Sequence, residues 1–161
     1  MKKFIQLVDH LVSKKCVDPK QIYAFVSQGQ VKESGKKTGN GQVLLRHEYE
    51  ALLTALNVEG DTERFYHLLA TVTQWMQTNA GQYDRVESEY GTLFHYEAEP
   101  FQTKTTDLDL TFHFEEDIHF VPAGVDFDGL TIEIGGEFWK LADEERYKAE
   151  FLESVEGLVE V

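Results

Sequence analysis

The chain has 161 residues, of which 42% are hydrophobic and three are proline, and its formal net charge is -14. This composition is typical of one folded domain and excludes a disordered tail. A single cysteine, Cys16, excludes an intramolecular disulfide and a zinc site of several thiolates, and no apolar run approaches the roughly 20 residues that span a bilayer.

The charge is distributed unevenly. Residues 1–80 hold ten Lys and Arg against eight Asp and Glu, whereas residues 81–161 hold five against 21. An acidic surface repels phosphate backbones, so tight nucleic-acid binding is not expected. The ordinary interpretation is a solubilising face, and the alternative is a surface that docks a basic partner or lines a path for DNA.

The N-terminal residues predict a first helix that ends between Ser13 and Cys16. Lys2 and Lys3 precede apolar residues as in a signal peptide, but Asp9 interrupts the apolar stretch too early for one, so we expect the protein to be made and kept in the cytoplasm. The apolar stripe has three- and four-residue spacings. Its members are Phe4, Ile5, Val8, Leu11 and Val12.

The next segment predicts a short strand and then a mobile loop. Ile22–Val26 is rich in β-branched and aromatic residues, and Gly29–Gly41 is rich in Gly, Lys and Ser. The loop resembles a phosphate-binding P-loop, but Lys37 stands where Ser or Thr should hold magnesium, and a strand rather than a helix follows. Nucleotide binding is therefore not expected.

The middle of the chain predicts a long strand followed by an amphipathic helix. Val43–Val58 alternates polar and apolar residues at first and becomes apolar on both faces later. Asp61 is suited to cap a helix that ends near Thr78. The core-facing stripe of that helix should consist of Phe65, Leu68, Leu69, Val72 and Met76.

The C-terminal half predicts mostly strands. Gly91–Glu97 and Leu108–Phe114 have strand patterns, and Leu130–Leu141 reads as a hairpin with its turn at Gly135-Gly136. Ala142–Val155 could form a short acidic helix. The whole is an α+β fold: a mainly antiparallel sheet packed by two helices, with a C-terminal hairpin and short helix.

Two groups of residues have the composition of a chemical site. Four residues of types that bind metals share one parity of a strand: His113, Glu115, Asp117 and His119. Alternate side chains of one strand lie about 7 Å apart, too far to close around one ion, so we expect a wet strand face and no metal site. Cys16 could pair with any of six histidines, but no motif surrounds it. The residues predict no enzyme and no cofactor.

Four stretches of the chain, taken together and in order, have a recognisable pattern. They are Gln21–Val26 with Gly29-Gln30-Val31, Leu44–Ala55, Gly60-Asp61 leading into Phe65–Ala70 with Trp75-Met76, and Asp107–Phe112. In their order and spacing they resemble the tail completion protein R (GpR) family of P2-like, contractile-tailed bacteriophages. The resemblance covers residues 1 to about 121 and thins beyond Val121.

The resemblance implies a structural virion protein that completes the tail and prepares it for head-tail joining, without cofactor or chemistry. It implies other tail proteins and the head connector as partners, a homo-oligomeric ring, and location in the bacterial host cytoplasm and then in the virion tail. We divide the chain into a tail-completion-like domain, 1–121, and a C-terminal extension, 122–161, packed on it.

The candidate surface for DNA passage or docking is the solvent-facing side of the strand around Leu108–Phe114. Its residues are Asp107, Asp109 and Glu115. Two other functions stay open: an acidic inhibitor of a basic partner, which a pull-down would favour, and a small enzyme, which activity screening would expose.

Overall fold

The protein is described by a computed structural model for residues 1–39, 41–59, 62–79, 93–98 and 105–142, except for the side chains of Thr38 and Glu59. These residues form helices and strands of the predicted α+β class. The helices are α1 (Lys2–Ser13) and α2 (Thr62–Asn79). The strands are β1 (Ile22–Thr38), β2 (Gly41–Glu59), β3 (His95–Ala98), β4 (Thr105–Pro122), β5 (Ile132–Ile134) and β6 (Glu137–Leu141).

The strands make one antiparallel sheet in the order β1-β2-β4-β6-β5, and β3 pairs with β4 beside that path. The two longest strands, β2 and β4, are neighbours within the sheet and pair with each other along nearly their whole length. β3 and β6 pair with different parts of β4, at Leu108–Thr111 and at Phe120–Pro122. The sheet is therefore long, and its two ends have different neighbours.

α1 confirms the first predicted helix. Phe4 and Leu11 are fully buried, and Phe4 packs against the rings of Phe112 and Phe114 at centroid distances of 6.2 and 6.3 Å. The helix ends where Lys15 adopts a left-handed conformation, φ 56°, and the Cys16 amide donates to the Leu11 carbonyl at 3.0 Å. Such a left-handed residue satisfies the last carbonyls of a helix.

α2 confirms the second helix and its packing against β2. The most buried residues of its stripe are Leu68, Val72, Trp75 and Met76, whereas Phe65 and Leu69 are half-buried beside them. Trp75 meets the Phe114 ring edge-to-face at 6.3 Å. The proposed cap, Asp61, lies outside the described residues.

The loop predicted at Gly29–Gly41 is wrong, because the segment continues β1 as one arm of a long hairpin. Its residues pair with β2 as far as Thr38 opposite Gly41. A composition of Gly, Lys and Ser indicates only that a segment has little apolar surface to bury, and here the strand is stabilised by pairing along β2 rather than by a core. A Cβ on Gly29 would meet the Glu48 carbonyl oxygen at 2.9 Å, so close strand contact requires this glycine.

β2, β4 and the C-terminal hairpin agree with the sequence patterns. In β2 the buried alternation runs through Tyr49, Ala51, Leu53 and Ala55, and in β4 through Leu108, Leu110, Phe112 and Phe114. Gly135 and Gly136 both have positive φ, 59° and 83°, as a two-residue hairpin turn requires. Residues 143–155, predicted as a short acidic helix, and the beginning of the strand predicted from Gly91 lie outside the described residues.

Candidate functional site

The sheet has two unlike faces. The inner face carries the buried alternation of β2 and β4 and is covered by α1 and α2. The outer face carries the other parity, and residues opposite each other in an antiparallel pair share it. The sequence-predicted Asp107, Asp109 and Glu115 all lie on this outer face and are half-buried.

Asp107 is bonded to the backbone of β2. Its Oδ1 accepts a hydrogen bond from the Asn57 amide at 3.0 Å, and Asn57 has a left-handed φ of 54°. The strand pairing shifts register at this point, between Ala55 and Val58. Asp107 therefore stabilises a β-bulge besides contributing charge to the outer face.

Asp109 lies beside Asp107 in an acidic patch at the same end of the sheet. Its Oδ1 accepts from Thr54 Oγ1 at 2.6 Å, and its cross-strand neighbour on β3 is Glu97. Among the described residues, Asp107, Asp109 and Glu97 form no ion pair. We call these three residues the acidic patch.

Glu115 has different surroundings from the other two candidates. Its Oε2 lies 3.5 Å from Arg46 Nη1, and Arg46 Nε donates to Asp117 Oδ1 at 3.0 Å. On the next strand Lys32 pairs with Glu48 at 2.5 Å. The outer face at Glu115 therefore carries charges of both signs, and its net negative potential is weaker than at the acidic patch.

The four metal-type side chains of β4 lie at the same mixed part of the sheet. His113 Nε2 is 3.5 Å from Glu50 Oε2, while Glu115 and Asp117 engage Arg46. Within the described ranges, no group of three or more His, Cys, Asp or Glu side chains lies close enough to hold a metal ion.

A buried polar cluster on the inner face was missed by the sequence analysis. Glu116 is only 7% exposed; its Oε2 lies 3.0 Å from the Met1 amino group, and its Oε1 accepts from the Lys3 amide at 3.2 Å. Tyr49 donates its hydroxyl proton to the same carboxylate. This carboxylate accepts a hydrogen bond from an amide in the first turn of α1 and interacts favourably with the positive end of the helix dipole.

The missed signal was the parity of Glu116. It follows Phe112 and Phe114 at two-residue steps, so the alternation places it inward, next to the core.

His47 borders this cluster and stacks on Tyr49 at 4.8 Å. Burial lowers the pKa of His47 below its ordinary value of 6.5, the Met1 ammonium lowers it further, and the Glu116 carboxylate raises it. Burial has the largest effect, so the imidazole is predominantly neutral at neutral pH.

Cys16 has one histidine neighbour, His67 of α2. Cys16 Sγ lies 4.0 Å from His67 Nδ1 at the edge of a cleft. A nucleophile and its base normally approach to about 2.6–3.2 Å, so this contact is too long for an activated thiol. The pair is a weak polar contact between the turn after α1 and α2.

The fold is thus an antiparallel sheet with two helices on one face and charged residues on the other. The chain belongs to the family described as P2 phage tail completion protein R (GpR), whose model matches residues 1–135. It is thus a bacteriophage tail completion protein, from a family of structural tail proteins and not a known enzyme family.

No curated protein and no solved structure matches the chain. Neither of the described helices is long and apolar enough to cross a membrane. The family match extends beyond β4 into the C-terminal hairpin, and the division of the chain at residue 121 stays a prediction.

Proposed function

We propose that this protein completes the tail as a closed ring at the end that receives the DNA-filled head. It is made in the host cytoplasm and then incorporated into the virion tail. Family membership carries this proposal. A tube of stacked rings stops growing when its last ring offers a different surface, and heterologous contacts close into a ring when the rotation is right.

The acidic patch gives the ring a second task, which is to let DNA pass without binding it. Asp107 and Asp109 are fixed by hydrogen bonds to β2, so their charges stay on the outer face. Fixed negative charges repel the phosphate backbone, so DNA does not bind to this surface. In this proposal Asp107, Asp109 and Glu97 line the passage, and Glu115 lies where Arg46 weakens the field.

Loss of the protein tests its place in assembly. A phage that lacks the protein should produce DNA-filled heads and full-length tails that do not join, as counted by electron microscopy of the lysate. Purified protein added to that lysate should restore joined, infectious particles. Joined particles in the absence of the protein would refute the proposal.

Amide substitutions test the passage. Asp107→Asn with Asp109→Asn keeps each Oδ1 acceptor and removes both charges, so the fold should persist. Particles should assemble, and DNA release should slow. The matched control is Asp126→Asn with Asp128→Asn, which removes the same charge at exposed positions elsewhere. Equal DNA-release rates for the two double variants would show that the patch does not line the passage.

A further inference from the structure

Two edge strands lie on opposite sides of the end of the sheet that holds the β1–β2 hairpin tip, which we call the far end. β1 is the outermost strand on one side, and β5 is the outermost of the described strands on the other. Both belong to this end, because β2 connects the last residues of β1 to Phe120 of β4, where the β5–β6 hairpin joins β4. A strand edge presents N–H and C=O groups that its own sheet does not pair. The far end can therefore accept a further strand on either side.

The β1 edge is basic at this end. Lys36 and Lys37 are both exposed. The other lysine of this stretch, Lys32, pairs with Glu48 of β2. Glu33 lies before the register shift that separates it from Lys36, and residues 34–38 contain no acidic residue. We call Lys36 and Lys37 the lysine edge.

The β5 edge is acidic. Glu133 of β5 and Glu137 at the start of β6 are both exposed. The lysine of this hairpin, Lys140, lies on the inner strand β6, is half-buried and has its Nζ 4.8 Å from the centre of the Phe127 ring. The outer strand itself therefore carries a carboxylate and no cation. We call Glu133 and Glu137 the glutamate edge.

Strand direction decides how these edges can meet. Each of the four pairings between β1 and β5 is antiparallel, so the directions alternate and β1 and β5 run the same way. Copies related by rotation about an axis along the strands keep this direction. β1 of one copy can then lie beside β5 of the next as a parallel pair. Each copy uses each edge once, which is the heterologous contact that a ring requires.

We propose that the lysine edge of one copy pairs with the glutamate edge of a second copy, by addition of β1 to β5. Main-chain hydrogen bonds between the edges supply affinity, as in other cases of strand addition. Charge selects the partner edge. Two β1 edges would place lysines against lysines, and two β5 edges would place glutamates against glutamates, so both symmetric alternatives are disfavoured.

The register of the contact follows from the pairings inside one copy. Lys37 lies level with Leu141 of β6, whereas Glu133 pairs with Phe138, three residues away along β6. Three residues of strand span about 10 Å. Neighbouring copies must therefore be staggered by about this distance to bring Lys37 beside Glu133. Strands of a closed sheet are tilted and staggered in this way.

This contact deepens the proposed ring and rests on it, because it supplies the subunit interface. It also gives a function to apolar residues at the β5 edge. Leu130 is 87% exposed and Ile132 is also exposed in the single chain. The carbon stems of Lys36 and Lys37 can cover such apolar surface while their charged ends reach the carboxylates.

Charge reversal in the full-length chain tests the contact. The lysine-edge variant is Lys36→Glu with Lys37→Glu, and the glutamate-edge variant is Glu133→Lys with Glu137→Lys. Each should weaken self-association at least about tenfold at low salt, measured by sedimentation, because like charges then face each other. A chain with all four changes should associate as the parent does. Supplied to phage that lack the protein, each single-edge variant should give few joined particles.

The matched control is Lys14→Glu with Lys20→Glu. These exposed lysines lie between α1 and β1, and the control has the same net charge as the lysine-edge variant. It should associate and complement as the parent does. An equal loss for the control would show that net charge, and not the edge, governs association, and would overturn the proposal.

Mixing distinguishes the heterologous contact from the symmetric alternatives. The two single-edge variants fail alone, but an equimolar mixture should associate, because every edge of one variant is complementary to an edge of the other. If the lysine-edge variant alone associates as the parent does, β5 pairs with β5. If the glutamate-edge variant alone does so, β1 pairs with β1. Either result overturns the proposal.

Chemical coupling tests the contact in the assembled tail. A carbodiimide joins an ammonium to a carboxylate that already touches it, so treated tails should give a ladder of linked chains on denaturing gels. Mass spectrometry should identify amides between Lys36 or Lys37 and Glu133. If tails contain several copies but no such amide, and both single-edge variants still join heads, the contact is wrong and the ring stands. If each tail contains a single copy, the ring itself is wrong.

Discussion

The two ends of the long sheet are built from the same strands but stabilised differently. At the helix-covered end, Phe112 and Phe114 of β4 are buried under α1 and α2. At the far end, Val31 of β1 is 64% exposed and Phe138 of β6 is 59% exposed. Apolar and polar side chains continue to alternate along the strands, but no described helix covers the far end.

Because of this difference, we expect the two ends of the sheet to contribute unequally to folding and to assembly. Burial of apolar surface stabilises the covered end, at about 25 cal/mol per Å². The far end relies on strand pairing, because its partly exposed charge pairs contribute little to stability. Substitutions of its exposed apolar residues should therefore affect assembly more than folding.

The largest expected effect is a cavity in the covered end. Phe112→Ala should lower the free energy of unfolding by about 3–5 kcal/mol, because a fully buried aromatic side chain is lost. Denaturant titration measures the free energy of unfolding of this variant and of the matched control, Phe138→Ala. The control should change stability by less than about 1 kcal/mol, since the side chain is mostly exposed. Similar losses for the two variants would contradict the division of the sheet.

The polar cluster at the boundary between the two ends should have the next largest effect. Glu116→Gln should cost about 1–3 kcal/mol, because an amide cannot accept from the Met1 ammonium, the Lys3 amide and Tyr49 as a carboxylate does.

Its matched control is the neighbouring Glu115→Gln on the outer face. That change should cost less than about 1 kcal/mol, because Glu115 and Arg46 form a partly exposed pair. Equal losses in thermal denaturation would show that Glu116 does not stabilise the start of α1.

His47 should make part of this stability depend on pH. Its pKa in the folded state is below the ordinary 6.5, so the unfolded chain binds the proton more readily. The contribution of the neutral His47 imidazole to the free energy of unfolding is fully present above about pH 6.5 and is lost as the pH falls through the folded pKa. His47→Gln should flatten the stability profile in that acidic window, measured by thermal midpoints at several pH values. An unchanged slope would show that other groups titrate there.

Local pattern was sufficient to predict the elements whose residues pack against a core. The stripes of α1 and α2 and the alternation of β2 and β4 all follow from the need to bury one face. The length of β1 did not follow, because beyond Val26 its stabilisation comes from a partner strand that is remote from it in the sequence, and composition contains no record of pairing. Its turn therefore lies near Gly39, ten residues after the predicted loop begins.

The candidate surface was predicted in part for the same reason. Alternation correctly placed Asp107, Asp109 and Glu115 on one outer face. It could not show that β2 brings Arg46 to Glu115, while no cation of the described residues pairs with the other two, since this depends on the register between strands. The cleft beside Cys16 could not be predicted from the sequence either, because three elements form it and only the fold brings them into contact.

The smallest expected effect concerns a charge pair at the far end. Lys32 of β1 and the half-buried Glu48 of β2 form an ion pair, and hydrogen bonds from Lys32 and then Gln30 lower the pKa of Glu48 below its ordinary value. Lys32→Met should raise that pKa toward its ordinary value, which NMR titration of the carboxyl group measures. A carboxyl group whose pKa is depressed in the folded state stabilises the fold at pH values above its unfolded pKa, and this stabilisation is lost as the pH falls. The stability of the variant should therefore fall slightly less on acidification than that of the parent. At neutral pH its thermal midpoint should stay within error of the parent, because solvent screens such pairs. A large fall in the midpoint would mean that charge pairs, and not strand pairing alone, hold the far end of the sheet together.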